Sequence, residues 1–593
     1  MQDRLSVLEE RVGELVESLR LLERRVASLE RRPAPAPATR PAAPRPSTAA
    51  GQPHDVTAPD VSGDLAAFSK HLALAGRTLL VLAGAFLLRA VTDSGAIPGW
   101  LGVALGCAYA GVWVALAYRV GPAQPWSAAF HGIAAILIGF PLVFEAATRF
   151  RLLSPGGAAA VLTAFTAVAL GVAVLRRLQI LAWLVEIGGI FAALALMIAT
   201  GHLAPSALYL VLVGVAALWL GYVLDWVYLR WPIAFATDLA VVVLTLRATG
   251  ATTAEGPLIA LLVQVAVLGL YLGSIATRTL LLNRAVVDFE LVQTAVLIAV
   301  GLGGASYLSV HSGMGGAAVG VVSILFGVVT YAIAFAFVER RQQSKANFYF
   351  YGSIALVFVL AGTGLLLASS SALEITWAAL AVVSAGLART MRRFTLAVHA
   401  CIYGVAAAVQ SGALSYAGMA TVASPLVAWP SAPAALLVVV AGLAAAAWLT
   451  GRIADTPLPA QNRIPRCFLV AALAVAAAGL LIGLLVPPLA GAPGPEASAG
   501  VAATVRTSVL VAGVLLLAWA GRHESWREAG WLAYPVLVII GCKLVLEDIA
   551  RSRPASLFLA FALYGTALIV VPKLRRREPA QPRTAAAPPS AAA

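Results

Sequence analysis

From Leu72 to Val571 the chain is almost continuous apolar sequence, interrupted only by short polar breaks. Stretches such as Leu79–Leu88, Ala158–Leu175 and Ala434–Leu449 contain no charged residue. A helix of about 20 apolar residues crosses the hydrocarbon core of a bilayer, and most of these stretches reach that length with their flanks. Charged residues make up 11% of the chain and hydrophobic ones 61%, whereas soluble domains carry about 25% charged residues. The pattern therefore excludes an ordinary soluble enzyme. It predicts an all-α, polytopic membrane array of about 18 spans, with centres running from Val81 and Cys107 through Val405 and Gly442 to Tyr564.

Three shorter regions are attached to this domain, which occupies residues 71–572. Residues 1–31 carry an unbroken heptad: Leu5, Val12, Leu19 and Val26 at position a, with Leu8, Leu15, Leu22 and Leu29 at position d. Such a seam predicts a coiled coil. In a parallel pair Arg4 faces Glu9 and Arg25 faces Glu30 across the g and e positions, which favours a homo-oligomer over a lone amphipathic helix lying on a surface. Residues 32–70 are a Pro- and Ala-rich linker ending in a short interfacial helix. Residues 573–593 form a basic, low-complexity tail.

The formal net charge is +14. In an apolar chain the partner this implies is the bilayer and not nucleic acid, because Lys and Arg gather in alternate breaks, as the positive-inside rule requires. Arg176 with Arg177, Arg278 with Arg284, Arg340 with Arg341, Arg392 with Arg393, and Arg575–Arg577 mark the cytoplasmic side. Both termini fall on that side, and no cleavable signal peptide is expected. Cys107, Cys401, Cys467 and Cys542 lack the spacing of a disulfide framework or a zinc site. There is no Walker A loop, His-Glu-x-x-His or Gly-x-Ser-x-Gly. No catalytic residue, metal or cofactor is predicted, and the reading points away from an enzyme.

Three expected outer helix ends break the charge rule in the same way. Arg89 precedes Asp93 by four residues, Glu145 precedes Arg149 by four, and Lys543 precedes Glu547 by four, with Asp548 and Arg551 following. Each such pair shares a helix face and can neutralise itself locally. If the three helices are neighbours, their ends form one charged pocket for an anionic ligand; otherwise they are separate interfacial pairs. Arg506 is a further exception with no carboxylate four residues away. Deeper in the spans lie Glu186 and Asp238, costly groups that should face the bundle interior, either for proton-coupled transport or as hydrogen-bonded structural acids. His131, His399, Gln264 and Gln410 are expected to join helices by hydrogen bonds.

The order of coil, Pro-rich linker and long helical array resembles the bacterial membrane proteins grouped as "domain of unknown function 2339". The opening hairpin, Arg77–Arg89 followed by Gly95-Ala-Ile-Pro98, is similar to that family's, as are Lys543-Leu-Val-Leu-Glu-Asp548 and the basic close at Arg575–Arg577. Val545 and the extra acid Glu547 depart from the family pattern. The resemblance implies a multi-pass protein of the bacterial cytoplasmic membrane and directs attention to Arg89, Lys543 and Asp548. Three roles stay open: transport or export of an envelope-related anionic molecule, a scaffold assembled through the coil, or an intramembrane transferase on a lipid-linked substrate. The substrate itself is not legible.

Overall fold

The computed structural model describes residues 81–575, apart from 82, 93, 121–123, 251–254, 314–315, 339–344, 369–370, 425, 427, 452–462, 495–496 and 550–553. The expected coiled-coil seam, the linker, most of the tail, and Asp93 and Arg551 lie outside the described residues.

Among the described residues every regular element is helical. In chain order the helices are α1 (Ala83–Thr92), α2 (Gly99–Val120), α3 (Pro125–Thr148), α4 (Pro155–Arg176), α5 (Gln179–Thr200) and α6 (Ala204–Val223). They continue as α7 (Arg230–Ala248), α8 (Pro257–Leu281), α9 (Asp288–His311), α10 (Ala317–Val338), α11 (Lys345–Leu367), α12 (Ala372–Met391) and α13 (Phe394–Gln410). The last are α14 (Ala413–Val422), α15 (Leu436–Thr450), α16 (Ile464–Ala490), α17 (Ala499–Ala520), α18 (Glu524–Asp548) and α19 (Pro554–Arg575). Fifteen of these helices are long and apolar enough to span a membrane, up to sixteen when α13 and α14, bent by 53° at their junction, are counted as one broken span. The span expected near Gly442 coincides with a short apolar helix, α15, and the one expected near Val81 lies at the edge of the described residues, where α1 is its described part. The chain is a multi-pass helical membrane protein.

Local chemistry sets the helix ends. Ser154 caps α4, accepting a hydrogen bond from the Gly157 N–H, and Pro155 follows at the first turn, where its missing N–H costs nothing. Ser498 caps α17 in the same way through Val501. At the far ends of α4 and α12 the chain turns through Arg177 and Arg392, each left-handed at φ 53°. An arginine in that conformation is strained, but it places a cation beside the negative end of the helix dipole.

The outer surface is apolar, with Ile198, Leu546 and Leu175 at 85%, 77% and 72% exposure, the arrangement a hydrocarbon solvent requires. Inside, small residues let helices close up. Gly320 and Gly327 on α10 meet α11 backbone, and a Cβ at Gly362 on α11 would stand 2.7 Å from the Gly320 carbonyl. Packing of this kind, rather than hydrophobic exclusion, holds helices together in lipid. Two large apolar cores result, one spanning α2 to α9 and one spanning α11 to α18.

Candidate functional site

The first expected cluster begins at the C-terminal end of α1. Arg89 Nη1 stands 2.7 Å from Glu145 Oε1 on α3, with side-chain exposures of 42% and 18%. The glutamate thus reaches across to a neighbouring helix. Arg149, one turn further along the chain, lies over the Phe150 ring at 5.8 Å. Arg89 and Glu145 line a cavity of about 180 Å³ between α1, α2 and α3, together with Thr92, Tyr109, Leu137 and Pro141. Pro141 has no N–H to donate to the Leu137 carbonyl one turn earlier, so the cavity wall carries backbone polarity as well as a cation and a carboxylate. Gly102 and Gly106 face it without side chains of their own; a Cβ on either would run into Thr92 or Leu142.

The second cluster is closed. The last turn of α18, Leu544–Asp548, is π-helical. That wider turn brings Lys543 and Asp548, five residues apart, to 2.9 Å, while Glu547 Oε2 stands 3.2 Å from the same ammonium. Lys543 also donates to the Ala503 carbonyl at 3.1 Å and to Thr507 Oγ1 at 2.9 Å. Arg506 on α17 donates to Glu547 Oε1 at 2.5 Å and to the Ala423 carbonyl past α14 at 2.7 Å. Thr507 donates to Asp548 Oδ2 at 3.1 Å. Two cations and two carboxylates therefore cancel, and all four side chains are at least 89% buried, the most exposed being Glu547 at 11%. Chemically this is a clamp joining α14, α17 and α18.

The structure seats Arg89 against Glu145 and Lys543 against Asp548, in two separate clusters. Arg506 gave no local signal of its partner, because Glu547 lies 41 residues away in the chain. Its presence inside an apolar run was the only clue.

The intramembrane acids differ from each other. Asp238 on α7 accepts from Gln293 Nε2 on α9 at 3.0 and 3.2 Å. Glu186 on α5 is 1% exposed, with the Ile233 backbone in the first turn of α7 as its polar neighbour. One turn along the same face, Gly189 leaves room for Tyr209 Oη from α6, which would stand 2.1 Å from a Cβ there and which bonds Thr166 on α4 at 3.0 Å. Tyr271 on α8 fills the corresponding notch at Gly214, where its hydroxyl neighbours that of Thr237 on α7. Polar groups thus run laterally through α4 to α9, a setting in which a carboxyl can hold a proton away from water.

Gln264 donates to Thr245 across α8 and α7 at 2.7 Å, and His399 meets Tyr331 across α13 and α10 at 3.0 Å, both helix-joining contacts of the expected kind. His131 packs against the Trp113 and Phe130 rings, and Gln410 is exposed. The four cysteines are unpaired, and no His/Cys/Asp/Glu group among the described residues could hold a metal.

Two charge clusters at the opposite helix ends carried no sequence signal, because Arg and Glu beside a polar break read as ordinary flanks. Glu290 on α9 is fully buried and receives Arg278 at 2.9 Å and Tyr222 Oη at 2.6 Å. Glu528 on α18 faces both Arg463 and Arg466 at 3.4 Å. No protein-family model, curated protein or solved structure matches the chain.

Proposed function

We propose that this chain is a transporter or exporter of an envelope-related anionic molecule in the bacterial cytoplasmic membrane, and that it is a relative of the family named above. In this reading both termini face the cytoplasm, and the N-terminal heptads assemble copies in parallel. The cavity between α1, α2 and α3 is the outer binding or release site, with Arg89 as the anion contact and Glu145 as the group that holds Arg89 when the site is vacant.

One observation carries this reading. Arg89 is the half-exposed cation of a cavity whose other polar groups are a carboxylate, a threonine, a tyrosine and a proline-freed carbonyl. A half-exposed guanidinium at a cavity rim can bind a phosphate or carboxylate of a ligand. The buried Glu186 adds a group suited to proton coupling.

A thermal-shift screen of the purified full chain with sugar phosphates and polyprenyl phosphate tests the proposal. At least one probe should stabilise the wild type, and Arg89→Ala should abolish that shift while leaving the unliganded protein folded. Absence of any shift, or equal shifts in both proteins, would reject the site.

A scaffold role is the second reading, and the closed clamp of Arg506, Lys543, Glu547 and Asp548 favours it. Charges paired this closely and buried this deeply hold helices together.

A further inference from the structure

A groove runs between α16 and α17, closed at one end by the start of α18. Its volume is about 1030 Å³. It follows α16 from Val470 to Leu485, a rise of about 22 Å at 1.5 Å per residue, and so covers most of a hydrocarbon core of about 30 Å. Small residues cut it: Ala474, Ala477 and Ala478 on one wall, Ala512 and Gly513 on the other. A Cβ added at Gly513 would meet nothing within 4 Å, so the notch is open space. Exposed Leu481, Leu516 and Trp519 form its lips, turned toward lipid.

The ionisable groups lie at one end of the groove, while Ser508 towards the other donates to the Thr504 carbonyl. At the ionisable end His523, Ser525 and Trp526 line it, and Trp519 meets His523 edge-on at 5.5 Å. The surrounding charge is positive. Arg466 stacks over Trp526 at 4.2 Å, Arg522 is exposed beside His523, Arg527 pairs with Glu524 at 3.3 Å, and Arg463 joins Arg466 on Glu528. Four guanidinium groups therefore face two carboxylates. Tryptophans at this level mark a membrane interface, and a basic cleft between spans at the cytoplasmic face suits an anionic lipid headgroup.

We propose that this groove is a binding site for an anionic phospholipid, with the acyl chains laid along α16 and α17 and the phosphate held at the His523–Ser525 mouth with Arg522. The groove's apolar length matches hydrocarbon chains, and its single cationic end matches a phosphate. This site is independent of the Arg89 cavity and of any transport role.

Native mass spectrometry of the full chain, loaded from phosphatidylglycerol or phosphatidylcholine mixed micelles, provides the test. The wild type should retain phosphatidylglycerol in preference to phosphatidylcholine. Gly513→Leu should reduce retention of both lipids by filling the notch. Arg522→Gln with His523→Ala should lower retention of phosphatidylglycerol by about fivefold, the loss of one interfacial cation, and that of phosphatidylcholine by less, because its choline offsets the phosphate charge. Circular dichroism and size-exclusion profiles matching the wild type would establish that both variants fold. Should Gly513→Leu fail to fold, the exposed double variant still decides the headgroup claim. Equal retention of the two lipids by the wild type, or an unchanged preference in the double variant, would overturn the proposal.

Discussion

The two charged clusters at the ends of α1 and α3 and of α17 and α18 use the same residue types and behave differently. Arg89 and Glu145 form one ion pair at the rim of a cavity, with the arginine 42% exposed. Arg506, Lys543, Glu547 and Asp548 form a closed set in which Lys543 alone has four oxygens around it. Solvent screens the half-exposed first cluster. Burial removes that screening from the second, where each charge needs an opposite charge close by. The first cluster is therefore the one a polar ligand can reach from solvent.

Removing one member of the closed set should have the largest effect. Asp548→Ala leaves Lys543 facing Glu547 only and should lower stability by about 3–5 kcal/mol, measured as loss of the folded fraction in detergent denaturation. A loss under about 1 kcal/mol would mean that water enters the clamp and that the contrast between the clusters is false. Replacing Lys543 and Asp548 together by leucine should recover most of that loss, because an apolar pair removes the desolvation cost along with the attraction. If the double variant were as unstable as the single one, the Thr507 and Ala503 contacts would be the true source of stability.

At the open cluster the expected stability change is smaller. Arg89→Ala should cost no more than about 1 kcal/mol, the range of exposed ion pairs, in the same denaturation assay. The gentlest probe leaves energetics aside. With Cys107, Cys401, Cys467 and Cys542 replaced by serine, single cysteines at positions 89 and 548 should differ in modification by a polar maleimide, the first reacting readily and the second resisting in the folded state. Pairs at 89 and 145 should join through a flexible bis-maleimide, and pairs at 89 and 548 should not. Efficient joining of 89 to 548 would reunite the two clusters and restore a single outer pocket.

Much of this architecture was legible from residues alone. Runs such as Ala158–Leu175 can only be buried or lipid-facing, and a backbone in lipid can satisfy its own hydrogen bonds over so short a run only as a helix. That reasoning yields the membrane class, the all-helical content and most of the spans, since each depends on contiguous sequence. It also singles out Glu186 and Asp238, since a charge inside an apolar run is visible without knowing its surroundings. Span length was less secure: α15 is only 15 residues long, too short to reach across the hydrocarbon core as a straight helix.

Partnership was decided by the tertiary structure. Nothing near Arg506 in the chain indicates Glu547, nothing near Glu145 indicates Arg89, and nothing in α16 announces a groove against α17. Pairing energy in a buried site falls off within a few ångströms, and which side chains come that close depends on how α1, α3, α17 and α18 pack. Asp238 finds the Gln293 side chain on a neighbouring helix and Glu186 the Ile233 backbone, although the two acids look alike in the sequence. The chain by itself determined where polarity is expensive; only the packing of its helices decided which of those expensive groups are satisfied and which remain open to a ligand or a proton.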